Sequence, residues 1–199
     1  MSRSELKYNA KAQLGGSIFS NTWMTALLVS LITSIALSVP NYVVPGLGAL
    51  LVLGAIEYGC NTLFLWQARS GEPMELRTLF SGFSSDFGEL FLLGLLSSLF
   101  TALWSFLLVV PGIIKTYSWS QIYYIKVDHP EYGWRQCMNE SANMMRGYKM
   151  ELFLLDLSFT GWYIVGALCL GIGTLWVVPY HLAARAQFYV ARCKEPFVI

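Results

Sequence analysis

The chain has 199 residues, of which 55% are hydrophobic and only 13% charged, and its mean hydropathy is +0.52. Soluble domains carry about a quarter charged residues, so this composition excludes an ordinary soluble domain, and lipid is the expected solvent. A net charge of +1 gives no overall electrostatic pull toward nucleic acid, and 199 residues are enough for one compact membrane domain with no sizeable soluble domain attached.

The first element is a weakly amphipathic stretch with Leu6, Ala10, Gln13 and Leu14 on one helical face, followed by Gly15. Arg3, Lys7 and Lys11, then an apolar run, then Ala36-Leu37-Ser38 have the outline of a signal peptide. The run, about residues 18–39, is long for that role and a second span follows at once, so an uncleaved membrane helix is expected. Val43-Val44-Pro45 comes next, then a span over about 46–66.

The pattern then returns. Leu76, Leu79, Phe80, Phe83 and Phe87 recur at i, i+3, i+4, i+7 and i+11, with Gly82 among them. A span over about 90–110 leads to Val109-Val110-Pro111 and a weaker, shorter span over about 112–127. In the third round the stripe is Trp134, Cys137, Met138, Ser141, Met145 and Tyr148, with Gly147 among them. A span over about 152–176, Val177-Val178-Pro179 and a second weak span over about 180–193 complete it.

The three prolines lie 66 and 68 residues apart, and a fixed period of this size marks a repeated architecture. The expected fold is an all-α integral membrane protein. Six transmembrane helices form three tandem hairpin repeats, about 1–67, 68–133 and 134–199, in a single membrane domain over 1–199. Each hairpin is preceded by an amphipathic helix, lying at the membrane interface or packed on its neighbours. Proline disfavours helical geometry in the residue before it, lacks an N–H and suits the first turn of a helix. Val-Val-Pro is therefore expected to end one helix and start the next, and each glycine to turn the chain into the membrane.

Basic residues avoid the Val-Val-Pro side. Arg3, Lys7, Lys11, Arg69, Arg77, Lys126, Arg135, Arg146, Lys149, Arg192 and Lys194 all fall on the other, so both termini are expected in the cytoplasm of a bacterial plasma-membrane protein. Tyr42, Trp104, Trp176 and Tyr180 fit an outer aromatic belt, Trp66 and Trp134 an inner one.

Ionisable groups at membrane depth are the strongest functional clues, because isolated charges there are costly. Glu57, Lys115 and Arg185 fall on the second helix of their hairpins, and Asp156 early in the fifth span. Asn61, Tyr117, Ser118, Ser120, Gln121, His181 and Gln187 add polar groups to the same second helices, which are expected to face inward while the plainer first helices face lipid. In one reading these residues line a water-filled path for a solute or ion. In the other the bundle is closed and its charges pair internally, for example Glu57 with Arg185, with Lys115 snorkelling outward and Asp156 a helix-end carboxylate near Lys149. Ser30, Ser34 and Ser38, Gly94 and Ser98, and Ala167 and Gly171 have the four-residue spacing that permits close helix contact.

No catalytic constellation is present: Gly-x-Ser-x-Gly, His-Glu-x-x-His and a phosphate-cradling Gly-rich loop are absent. His129 and His181 are far apart, and Cys60, Cys137, Cys169 and Cys193 form no Cys-x-x-Cys pair, so no metal or cofactor is expected.

Several stretches are distinctive: Pro111-Gly112-Ile113-Ile114-Lys115-x-Tyr117-Ser118-x-Ser120; Asp128-x-Pro130; Ser141-x-x-x-Met145-x-Gly147-x-Lys149; Leu157-Ser158-Phe159-x-Gly161-Trp162; Gly171-x-Gly173-x-Leu175-Trp176; and Pro179-Tyr180. With Glu5-Leu6-Lys7 and Ala10-Lys11, the chain resembles a family of small bacterial integral membrane proteins of unknown function. The resemblance implies location and fold type rather than chemistry, and directs attention to Lys115, Tyr117, Ser118, Ser120 and Asp128. The expected role is a non-enzymatic membrane module for assembly, membrane shaping or membrane sensing. A small channel or transporter is the alternative. The expected partners are the lipid bilayer and a second copy or another membrane protein, with no nucleic acid.

Overall fold

The computed structural model describes residues 2–43, 48–84, 87–107, 109–168, 171 and 173–194, and the regular structure among them is entirely helical. In chain order it comprises α1 (Arg3–Gln13), α2 (Asn21–Val43), α3 (Gly48–Ser70), a 3-10 helix (Leu76–Phe83), α4 (Phe87–Leu107), α5 (Val109–Ser118), α6 (Ile122–Asp128), α7 (Trp134–Met144), α8 (Lys149–Leu168) and α9 (Thr174–Lys194). Four of these, α2, α3, α4 and α8, are long and apolar enough to cross a membrane. The first three correspond to the expected spans over 18–39, 46–66 and 90–110, whereas α8 covers only the part of the expected span 152–176 up to Leu168, and the remainder of that range includes turn residues at Gly171 and Gly173 and the start of α9.

The expected span over 112–127 is not one helix. It is divided into α5 and α6 by a turn at 119–121. The reason lies on α7, where the Ser141 hydroxyl donates to the Ser118 carbonyl (2.8 Å) and accepts from the Gln121 amide (3.2 Å). A side chain from a neighbouring helix thus satisfies backbone groups that an unbroken helix would have paired internally. The expected span over 180–193 lies inside α9, which begins six residues earlier, at Thr174.

The chain forms two compact units. One gathers residues 1–32, 63–76 and 150–199, the other 33–62 and 77–149. In the first, α1 packs on α9 with Leu6, Ala10 and Leu14 buried. A capping box starts α1: the Ser2 hydroxyl accepts from the Glu5 amide (3.3 Å), and Glu5 Oε2 accepts from the Ser2 amide (2.7 Å). The bond from the Ser2 amide, aided by the Ser2 side chain, holds the Glu5 carboxyl below its ordinary pKa.

In the second unit α4 packs on α5, and α7 on α4, α5 and α6. α7 has Gly133 at its N-cap, with no side chain to cap it. Glu89 of α4 accepts from the Trp134 amide instead (3.2 Å), placing an anion at the positive end of the helix. Lys126 is buried, and its ammonium donates to the carbonyls of Pro130 (2.6 Å) and Tyr132 (2.8 Å), which pins the loop into α7.

The glycine after the first stripe and the one in the third adopt the left-handed conformation expected of a turn, with φ 89° at Gly15 and 80° at Gly147. Gly82 has a different use. It lies within the 3-10 helix against the backbone of Ala55, while a Cβ on Gly59 would overlap the Leu79 carbonyl. Leu79 and Gly82 therefore rest directly on α3, a contact that only small residues allow.

The Val-Val-Pro sites are not equivalent. Val44 and Pro45 lie outside the described residues. Pro111 sits in the first turn of α5, where a missing N–H costs nothing. Pro179 is inside α9, and the turn expected there falls upstream, where Gly171 has φ 79° and Gly173 packs on Gly166. Pro179 is the sixth residue of α9, so it lacks the N–H that would have bonded the carbonyl four residues earlier, and the helix continues past it.

Candidate functional site

The first unit assembles a polar cluster between α8 and α9. Asp156 lies two turns into α8, with Phe159 and Tyr163 three and seven residues further on, a spacing that places all three on one face. His181 and Arg185 are one turn apart on α9. Arg185 grips Asp156 with a two-pronged contact, Nη2 to Oδ2 at 2.6 Å and Nε to Oδ1 at 3.2 Å. His181 Nε2 lies 2.8 Å from Asp156 Oδ1, and its Nδ1 3.1 Å from the Tyr163 hydroxyl. An ionised carboxylate can only accept, so in the neutral imidazole Nε2 donates to Asp156 and Nδ1 accepts from Tyr163.

Asp156 is thus the hub of this cluster, with a side chain only 15% exposed. The expectation of a helix-end carboxylate near Lys149 is corrected: its position in α8 turns it toward α9. Arg185 takes Asp156 as a carboxylate partner, which supplies an internal ion pair of a different composition from the Glu57 example.

Around this hub the packing is aromatic. The His181 ring stacks on Phe159 (4.7 Å between centroids), which meets Tyr180 edge-on (5.0 Å). From α1, the Lys7 ammonium sits 4.6 Å above the Phe159 ring and donates to the Ser158 carbonyl (3.2 Å), while its own carbonyl accepts from the Tyr180 hydroxyl (3.2 Å). Burial, assisted by the neighbouring Arg3 charge, lowers the Lys7 pKa from its ordinary value. Nearby, Gln187 donates to the Gln13 side chain (3.0 Å), and Gln13 and Gln67 bond to each other at both ends, Nε2 to Oε1 at 3.3 Å and Nε2 to a backbone carbonyl at 3.1 Å.

The second unit holds the remaining candidates. Asn61 donates to both the backbone (2.7 Å) and the carboxylate (3.3 Å) of Glu57, one turn before it on α3. The Lys115 ammonium lies 5.3 Å from the rings of both Trp104 and Trp119, so aromatic faces share its charge. The hydroxyls of Ser118 and Ser120 return to their own helix, to Ile114 (2.8 Å) and Tyr117 (2.9 Å), and Gln121 donates to Ser120 (3.0 Å). Tyr117 lies half-buried on the same helix. The motif stretch from Lys115 to Gln121 thus ends in the joint between α5 and α6.

Sequence reasoning did not single out Lys7, Gln13, Gln67, Phe159 or Tyr163 as members of a cluster, nor Ser141 as the bridge at the joint. The α8 members were detectable from their shared face with Asp156. The α1 and α7 members come from distant segments and carried no such signal. Among the described residues, no three His, Cys, Asp or Glu side chains gather as a metal-binding set. Chemically, the α8–α9 cluster can hold an ion pair and orient an imidazole.

Among curated proteins and among solved structures, none matches the chain. Residues 106–194 match the family model described as "Protein of unknown function (DUF975)", so this part of the chain, from the end of α4 to the end of α9, carries a domain of an uncharacterised family.

Proposed function

We propose that the protein is a non-enzymatic integral membrane module that assembles with other membrane components or shapes or senses the bilayer. The observation that carries this reading is the internal use of its ionisable groups: Asp156 holds both Arg185 and His181, and Lys115 is placed between two indoles. Charges satisfied in this way support a closed bundle, whereas a conduit needs groups that face water.

In this reading six membrane segments form three hairpins in a bacterial plasma membrane, with both termini cytoplasmic and an amphipathic helix before each hairpin. The division of burial supports it. The first limbs, α2, α4 and α8, expose many large apolar side chains, among them Leu28, Leu103, Ile164 and Leu168. α3 and α9 bury more of theirs, including Ile56, Leu63, Phe64, Phe188 and Tyr189. The helices at 3–13, 76–83 and 134–144 precede each hairpin, as repeated units would have them.

The test is cysteine accessibility in a variant whose native cysteines are replaced. E57C, N61C, S118C, Q121C, R185C and Q187C are each exposed to a membrane-impermeant thiol reagent in intact vesicles. The module reading expects protection throughout. Labelling along one face at increasing depth overturns it in favour of a water-filled path.

A further inference from the structure

The three amphipathic stretches do not use their apolar faces alike. α1 turns Leu6 and Ala10 onto its unit, with Leu14 just beyond, and α7 turns Cys137, Met138 and Ser141 inward. The segment at 76–83 is a 3-10 helix, with three residues per turn, so its apolar residues divide between two ridges. One ridge carries Leu79 and Gly82, which are buried against α3. The other carries Arg77, Phe80 and Phe83; Arg77 is exposed, and the two phenylalanines are 48% and 42% exposed.

This outer ridge continues into α4. Phe80 and Phe83 are 6.5 Å apart between ring centroids, Phe83 and Phe87 5.8 Å, and Phe87 and Phe91 6.4 Å, the last two pairs stacked. Four rings therefore form one aromatic ladder from the 3-10 helix down the first turns of α4. Further along, α4 presents Leu92, Leu99 and Leu103 outward. The apolar stretch of α4, Phe87–Phe106, spans about 30 Å at 1.5 Å per residue, the thickness of the hydrocarbon core. α4 alone fills that thickness, which leaves Phe83, Phe80 and Arg77 at the level of the headgroups.

We infer that the Arg77–Phe80–Phe83 ridge is a bilayer anchor, its rings inserted at the boundary between headgroups and acyl chains and its guanidinium at the lipid phosphates. The inference rests on the reading of α4 as a membrane span. The occupant is lipid because the ladder is continuous with the outward face of that span, and because an exposed aromatic row beside a cation matches an amphipathic surface of this kind. α1 and α7 have turned their main stripes inward and serve mainly as packing elements.

The experiment uses the full chain without its native cysteines, in phosphatidylcholine vesicles, with an environment-sensitive fluorophore on F80C, F83C or L99C in turn. Quenching is measured with lipids carrying a nitroxide near the headgroup, with lipids carrying it deep in the acyl chain, and with aqueous iodide. The expected result is that the headgroup-side nitroxide removes most of the emission at F80C and F83C, iodide removes little, and the deep nitroxide dominates at L99C. Quenching of both ridge positions by iodide, with L99C still quenched from the deep lipid, overturns the anchor and leaves the span intact. Shielding of the ridge from both lipid and water also overturns it, in favour of a protein contact. Failure of L99C to respond to either lipid overturns the span reading itself and the anchor with it. F80C and F83C lie on the same exposed ridge, so failure of one to fold leaves the other to decide.

Discussion

Asp156 draws two other candidates named from sequence onto one carboxylate. It accepts from two Arg185 nitrogens and from His181, in a side chain 15% exposed. D156A removes the carboxylate that the guanidinium and the imidazole share, an expected cost of about 2–3 kcal/mol. Y163F deletes a single hydrogen bond and is expected to cost about 1 kcal/mol. Thermal unfolding of both variants in detergent checks the order; equal losses would contradict the hub. The cysteines give a second residue-scale test. Cys193 is exposed, whereas Cys60 and Cys137 are buried, and burial pushes the Cys137 thiol up to about 11. Thiolate is the reactive form, so in the folded C169S variant at neutral pH a maleimide is expected to modify Cys193 first and leave Cys137 largely unmodified. Mass spectrometry of digested protein reads the site directly. Lys115 was legible in sequence as a charge at depth, but not as a cation between Trp104 and Trp119, because that contact pairs α5 with a residue of α4.

At the scale of elements, the joint between α5 and α6 shows how one side chain divides a helix. Ser141 donates to the Ser118 carbonyl and accepts from the Gln121 amide, and its own exposure is nil. S141A leaves both backbone groups buried without that partner, at an expected cost of about 2–3 kcal/mol. Amide hydrogen exchange is expected to accelerate at residues 119–122 before it does in α4. Unchanged exchange there would show that the joint is held by other contacts. The 3-10 helix makes a related point. The stripe from Leu76 to Phe87 reads as one α-helical face, yet the tighter winding splits it into two ridges. Periodicity could not reveal this, because the close approach of Leu79 and Gly82 to Gly59 and Ala55 is a contact between distant segments.

At the scale of the whole molecule, the helices nearest the two ends are neighbours, α1 packing on α9 within unit one. The proposed topology makes a sharp prediction for those ends. A reporter fused after Ile199 is expected to be active only in its cytoplasmic form, as the distribution of basic residues requires. A reporter active only outside the membrane would refute the cytoplasmic C-terminus. The Lys7–Phe159 and Tyr180–Lys7 contacts further suggest a local check at the joined ends. K7A is expected to weaken α1 by about 1 kcal/mol, seen as earlier proteolytic release of the N-terminal segment.

Composition and apolar run length determined the solvent class and located the four helices long enough to cross a membrane, because those properties depend on local residue content. Glycine turns at Gly15 and Gly147 were likewise local, being set by backbone conformation at single residues. Tertiary structure alone decided that Val177-Val178-Pro179 continues into a helix, that Ser141 divides α5 from α6, and that Asp156 joins His181 and Arg185. The last two outcomes depend on which distant backbone or side chain arrives to satisfy a polar group, and a run of residues read along the chain does not contain that partner.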